Sequence, residues 1–286
     1  MLKSIDDIIR ILLRWYEWYS PLSVGKNRLL KLVNAVRPLK GRFRIRTKFG
    51  AIMDVNLEQQ VQRRLYFQGI HEKNVLELMR DMSMDRREGS VFCDIGANVG
   101  QHSLFCALNL RFEKIYAFEP YPSTFAALRQ NILLNSLEGK IAAVNLALSD
   151  KMAEYGMEVP SLSNDGMNYL LSGLKPDRSI VVRSTTLDSF AYENGITRID
   201  MMKIDVEGAE LNVVRGARGL LMDKRIGTLF VEVCDGHLAR FNASSKELLE
   251  FMKDVGYSCF LIKKRRLLPI KTAAELPTFG DCVFTH

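Results

Sequence analysis

Three acids and an imidazole in the last third of the chain have the chemistry of a base. Asp205 and Glu207 stand two apart in Lys203-Ile204-Asp205-Val206-Glu207-Gly208, at the close of an apolar run. On an extended backbone that spacing places both on one side. Glu232 interrupts the apolar stretch Leu229–Val233, where a carboxylate buried without a partner is costly. His237 follows, and an imidazole changes charge near neutrality. Each of Asp205, Glu207, Glu232 and His237 is a candidate to take a proton from a hydroxyl. Plainer roles stand beside these. Glu207 and Glu210 can cap a helix opening at Ala209, Glu232 can pair with Lys203 on a neighbouring strand, and His237 can be a surface loop residue. A divalent cation between Asp205 and Glu232 is a further alternative. The four histidines and five cysteines have no ligand spacing, so no metal cluster is predicted.

A second constellation lies upstream. The run Val91-Phe92-Cys93-Asp94-Ile95 leads into Gly96-Ala97-Asn98-Val99-Gly100, and apolar residues then recur at helical spacing. This is a buried strand feeding a tight turn and a helix, whose free N–H groups face a ligand. A dinucleotide fingerprint needs glycines two and five positions after Gly96, and Asn98 and Gln101 stand there instead. A turn around S-adenosylmethionine (SAM) demands less, because that ligand has no diphosphate to cradle. Glu119, 19 residues after Gly100 at the end of the next strand, is placed to accept ribose hydroxyls. An NAD-dependent oxidoreductase is the alternative.

The elements that position these residues alternate. Strands are predicted at Val91–Ile95, Lys114–Phe118, Ile141–Leu148, Ile180–Arg183, Ile199–Ile204 and Thr228–Val233. Helices are predicted at Gly100–Leu110, Ser123–Asn135, Thr186–Glu193, Ala209–Asp223 and Ser244–Val255. Tyr257–Ile262 and Asp281–Phe284 read as closing strands. This alternation implies βαβ units and a parallel sheet. Lys151–Ser179 is a polar insertion placed where an acceptor-binding loop would lie. Ahead of the core, Phe43–Phe49 and Ala51–Leu57 read as a hairpin with a basic face, and Gln60–Gln68 and Asn74–Asp81 as helices. The organisation expected is a basic helical leader over 1–40, a hairpin with helices over 41–89, and a catalytic domain over 90–286.

Charge is unevenly spread. Residues 1–50 hold twelve Lys/Arg against three acids, and the rest of the chain sums to −2. A near-neutral catalytic part argues against nucleic acid as the substrate. In the leader, Ile5–Tyr19 is an amphipathic helix ending in aromatic residues, and a second helix is predicted over Lys26–Val36. The leader is either a packing or homodimer element or a peripheral contact with an anionic membrane. Asp6, Asp7 and Glu17 weigh toward packing. The same charges interrupt any secretory signal, and the cysteines read as reduced thiols of a cytoplasmic protein.

Four motifs, Asp-Ile-Gly-Ala-Asn-Val-Gly (94–100), Phe-Glu-Pro (118–120), Ala-Leu-Ser-Asp (147–150) and Lys-Ile-Asp-Val-Glu-Gly-Ala-Glu (203–210), resemble the FkbM family of SAM-dependent methyltransferases. The resemblance implies an α/β, Rossmann-like seven-stranded methyltransferase sheet with helices on both faces. It also implies O-methylation of a sugar, glycan or polyketide-type hydroxyl. By position, Asp94 matches the acid near the methionine amino group, and Gly96, Ala97, Asn98 and Gly100 match the turn around that tail. Glu119 matches the ribose carboxylate, Ser149 and Asp150 lie toward the adenine, and Asp205 faces the methyl-transfer position. A SAM-binding scaffold without activity is disfavoured by the intact Asp94, Glu119 and Asp205.

Overall fold

The computed structural model describes residues 5–19, 39–83, 89–158 and 179–286. The helix expected over Lys26–Val36 and most of the Lys151–Ser179 insertion lie outside them. The described residues form two compact units, divided between Glu72 and Lys73.

The first unit holds the helix Ile5–Tyr19, strands β1 (Arg42–Arg46) and β2 (Ile52–Asn56), and the helix Gln60–Gln68. β1 and β2 pair antiparallel, with Ile45 opposite Met53 and Arg44 opposite Asp54. The alternation of the sequence becomes two faces: Ile45, Met53 and Val55 are buried, and the arginines are exposed. Arg10 of the first helix lies 4.0 Å over the Phe43 ring and donates to the Tyr66 hydroxyl at 2.6 Å. Arg14 lies over both Trp18 and Tyr66. These guanidiniums act here as cation–π partners inside the unit.

The second unit begins with the helix Lys73–Asp81 and contains strands β3 (Val91–Ile95), β4 (Lys114–Phe118), β5 (Ile141–Val144), β6 (Ala147–Leu148), β7 (Ala153–Glu158), β8 (Ser179–Thr185), β9 (Ile199–Ile204), β10 (Ile226–Cys234), β11 (Ser258–Lys263), β12 (Arg266–Ile270) and β13 (Phe279–Thr285). The main sheet runs β12-β11-β13-β10-β9-β3-β4-β5. β10 through β5 are parallel, and β13, β11 and β12 close the sheet antiparallel. Helices flank it, and their apolar faces join the strands in one core that includes Ile95, Phe118, Ile204, Leu211 and Val231.

The sheet has eight strands rather than the seven expected. The addition is β12, hidden in the sequence by Lys263-Lys264-Arg265-Arg266 and by Pro269. An edge strand tolerates both, because its outer side carries no ladder. The expected strand Ile141–Leu148 is two strands: β5 ends at Val144, and β6 pairs with β8 in a separate three-stranded sheet, β6-β8-β7. Asn145 makes the break, its amide donating to the carbonyls of Glu119 and Pro120 at 2.8 and 2.9 Å. β7 lies within the stretch read as an insertion. The expected helix Ala209–Asp223 is also two, Glu210–Arg215 and Arg218–Met222. Asp188 caps the second from a distance, accepting from the amides of Gly219 and Leu220 at 2.8 and 3.0 Å.

From β3 the chain builds outward through β4 to β5, then crosses to β9 on the other side of β3. The crevice at the carboxyl ends of β3 and β9 is therefore a topological switch point, where open α/β sheets bind their ligands.

Candidate active site

The turn after β3 is held from two sides. The amides of Gly96 and Ala97 both donate to the carbonyl of Phe118, at 3.0 and 2.9 Å. On the other side Asp205 donates its amide to the Ile95 carbonyl at 2.9 Å. Gly96 has φ +82°, and a Cβ there would stand 1.8 Å from the carbonyl oxygen of Asp205. Glycine thus serves both the backbone angle and the contact. Asn98 also has a positive φ, 49°, within the region asparagine tolerates. The turn expected to hold a cofactor and the strand end expected to carry out chemistry are consequently packed together.

Asp94 is buried, and its Oδ2 accepts from the Ser103 amide at 2.9 Å and hydroxyl at 2.6 Å. Burial raises its pKa; His102, Ser103 and Lys203 oppose that rise. Glu119 is also buried. Its Oε2 accepts from the Asn98 amide at 3.0 Å and its Oε1 from the Tyr121 amide at 2.9 Å. Burial pushes this carboxyl up to about 7 against the pull of those two amides. Each carboxylate oxygen has a further lone pair, so hydroxyl donors would relieve the desolvated charge. A ribose diol meets that need, and the residues present fit such a group.

Ser149 and Asp150 follow β6. Ser149 is buried and its hydroxyl lies 3.2 Å from Asp150 Oδ1 and 3.1 Å from the Tyr155 hydroxyl. A Cβ on Gly216 would stand 2.0 Å from the Ser149 carbonyl oxygen, so the break between the two short helices seats directly on this residue.

The four base candidates converge. His237 Nδ1 stands 2.9 Å from Glu207 Oε2. A carboxylate oxygen of Glu232 lies within 4.8 Å of both, and within the same distance of a carboxylate oxygen of Asp205. Glu207 has φ +57°, and Gly208 φ +121° with its virtual Cβ 2.3 Å from the His237 carbonyl oxygen. That close approach brings the β9 turn against the segment after β10. Burial pushes the Glu207 carboxyl up to about 7, helped by Asp205 and Glu210. Burial and Arg240 push His237 below its ordinary value. The contact is a close approach without an aligned hydrogen bond, since Glu207 Oε2 is buried with no hydrogen-bond partner among the described residues.

The plainer roles divide. Glu210 is a clamp: its Oε1 accepts from the amides of Gly208 and Val206 at 3.0 and 3.3 Å. Glu207 is directed at His237 instead of the helix end. Lys203 is 1% exposed, lies opposite Asp94 in the sheet register, and places Nζ 3.4 Å from Asp205 Oδ2. Sequence reading gave it no role in the site beyond a partner for Glu232. A charge inside the apolar run Met201–Ile204 is the same signal that singled out Glu232, and it finds Lys203 too. Tyr155 and Asn145 carried no comparable signal.

The family model of the methyltransferase FkbM domain matches residues 94–259, more than half of the chain. The hexuronic acid methyltransferase AglP of Haloferax volcanii is 24% identical over 165 residues, covering 58% of this chain and 63% of that protein. The 31-O-demethyl-FK506 methyltransferase FkbM of Streptomyces tacrolimicus is 30% identical over 166 residues, 46% of this chain and 61% of that one. The 2-O-methyltransferase NoeI of Sinorhizobium fredii is 25% identical over 215 residues, 69% of this chain and 85% of that one. The match to the first two thus spans less than two thirds of their length.

Proposed function

The chain belongs to the FkbM methyltransferase family, and on that premise we propose that it moves the methyl group of SAM to a hydroxyl of a small-molecule or glycan acceptor. The observation that carries this reading is the convergence of Asp205, Glu207, Glu232 and His237 at the neighbouring carboxyl ends of β9 and β10, packed against the Gly96 turn. Family membership sets aside the oxidoreductase alternative. Two of the relatives' names specify an oxygen, and one specifies a hexuronic acid, which supports a hydroxyl of a sugar or polyketide as acceptor.

Asp94, Gly96, Ala97, Asn98 and Gly100 would hold the methionine portion of SAM, Glu119 the ribose, and Ser149 with Asp150 the adenine. When bound, SAM supplies a methyl group already activated on a sulfonium, so the protein's task is to orient and to exclude water. A hydroxyl is a weak nucleophile, and a base that takes its proton as the new bond forms adds catalysis. His237 is the base in this reading. Glu207, whose Oε2 lies 2.9 Å from Nδ1, stabilises the imidazolium by its charge, and Nε2 receives the proton. Asp205, tied to Ile95 through its backbone and to Lys203 through its side chain, positions the strand end.

The test is calorimetric titration with SAM and with NAD, followed by transfer of labelled methyl to a panel of uronic acid oligosaccharides and macrolides. Binding of SAM and labelling of an acceptor oxygen are expected. Binding of NAD alone, or labelling on nitrogen or carbon, overturns the reading.

A further inference from the structure

The helix Ile5–Tyr19 packs by one face and leaves an apolar stripe on the other. Its inner face buries Leu13 and Glu17 and sends Arg10 and Arg14 over Phe43, Trp18 and Tyr66. A helix packed by one face is ordinarily polar on the other. Here Ile8, Ile11, Leu12, Trp15 and Tyr19 recur at helical spacing and are 43–68% exposed. The Trp15 and Tyr19 rings lie 6.2 Å apart at the helix end. Soluble proteins seldom leave so continuous an apolar surface without a use for it.

We propose that this outward stripe docks the protein on an anionic lipid surface, with the helix lying in the interface. Two observations select lipid as the occupant. Tryptophan and tyrosine beside aliphatic residues are the composition of an interfacial helix. Cations bracket the helix in the sequence, Lys3 before it and Lys26, Arg28, Lys31, Arg37 and Lys40 after it, within a fifty-residue stretch of twelve cations and three acids. Such clusters are drawn to acidic headgroups, whereas a second copy would bring two strongly positive stretches together. Among the described residues no helix is long and apolar enough to cross a membrane, and the contact proposed is with the surface. The proposal is independent of the methyl-transfer chemistry.

The experiment is co-sedimentation of the whole chain with vesicles of phosphatidylcholine alone and of phosphatidylcholine with phosphatidylserine, with tryptophan emission followed in parallel. Wild-type protein is expected to favour the anionic vesicles by about tenfold or more, with a blue shift of emission and loss of binding at high salt. The double substitution Leu12→Ser with Trp15→Ser should weaken binding by about tenfold and abolish the blue shift, with SAM affinity unchanged. The wild-type emission shift reads the proposal even if the double variant folds poorly. No preference for anionic vesicles overturns the proposal, as does equal binding by a folded double variant. A wild-type dimer that the double variant loses, with neither binding vesicles, also overturns it and assigns the stripe to a second copy.

Discussion

His237 Nδ1 stands 2.9 Å from Glu207 Oε2 because the residue between their two backbones is a glycine. The Gly208 Cα approaches the His237 carbonyl more closely than a side chain would permit. The positive φ at Glu207 belongs to the same turn. The pair therefore depends on backbone packing as much as on side-chain chemistry.

If His237 is the base, His237→Ala lowers the methyl-transfer rate by about 10²–10⁴-fold, the usual worth of a positioned base. Glu207→Gln lowers it less. Neither changes the SAM dissociation constant by more than about twofold, because neither holds the cofactor in this scheme. Single-turnover kinetics beside calorimetry checks both; a full-rate His237→Ala enzyme assigns the base elsewhere.

The rate should depend on pH with a definite sign. Burial pushes the Glu207 carboxyl up to about 7, and burial with Arg240 pushes the His237 imidazole below its ordinary value. The extra proton the pair holds in acid must leave before it can accept another. The rate rises with pH to a plateau above that titration. In Glu207→Gln the rising limb moves, because a neutral amide replaces the titrating partner. A profile identical to wild type contradicts the pairing.

A chelator should leave the rate unchanged. In the proposed scheme His237 takes the acceptor proton without a cation beside it. Activity lost on chelation and restored by magnesium or manganese would instead give the converging acids a metal-binding role.

The two close-approach glycines should separate binding from chemistry. Gly96→Ala meets the Asp205 carbonyl at 1.8 Å and Gly208→Ala meets the His237 carbonyl at 2.3 Å, both at positive φ. Each should lower stability by about 1–3 kcal/mol. Gly96→Ala should also weaken SAM binding, and Gly208→Ala should reduce turnover with SAM binding retained. Thermal melts and calorimetry on both variants decide it.

Stability of the unliganded protein should fall as pH rises between about 4.5 and 7. Glu119, Glu207 and Glu210 have carboxyls pushed up to about 7 by burial. Over that window the native state binds more protons than the unfolded chain, so the contribution present below the unfolded value is lost on ascending pH. Glu210→Gln preserves the acceptor used by Gly208 and Val206 and removes one such group. The variant should show a shallower slope in denaturant titrations from pH 5 to pH 8, whatever its absolute stability.

The parts of the fold legible in the sequence were those written in repeating patterns. Apolar runs ending in Asp94, Glu119 and Asp205 marked β3, β4 and β9, and the alternation from Phe43 marked β1. What escaped depended on partners distant in sequence. Asn145 divides a continuous apolar run by bonding the chain at Glu119 and Pro120. The two helices after β9 part where Gly216 seats on Ser149 and Asp188 caps the second. β12 was masked by its own charges, harmless at an edge. In the site, single side chains were readable, and the partnership of Glu207 with His237 was not, because it is made by the backbone at Gly208.

The contacts at Gly96 and Gly208 also bear on recombination. Chimaeras that exchange acceptor preference among relatives would naturally break between a cofactor half and an acceptor half. In this chain the Gly96 turn rests on Asp205, and the next turn rests on His237. A crossover that separates Gly96 from Asp205, or Gly208 from His237, joins backbones never matched for those approaches. The spans from Gly96 to Asp205 and from Gly208 to His237 are each inherited whole, and workable breakpoints lie outside them.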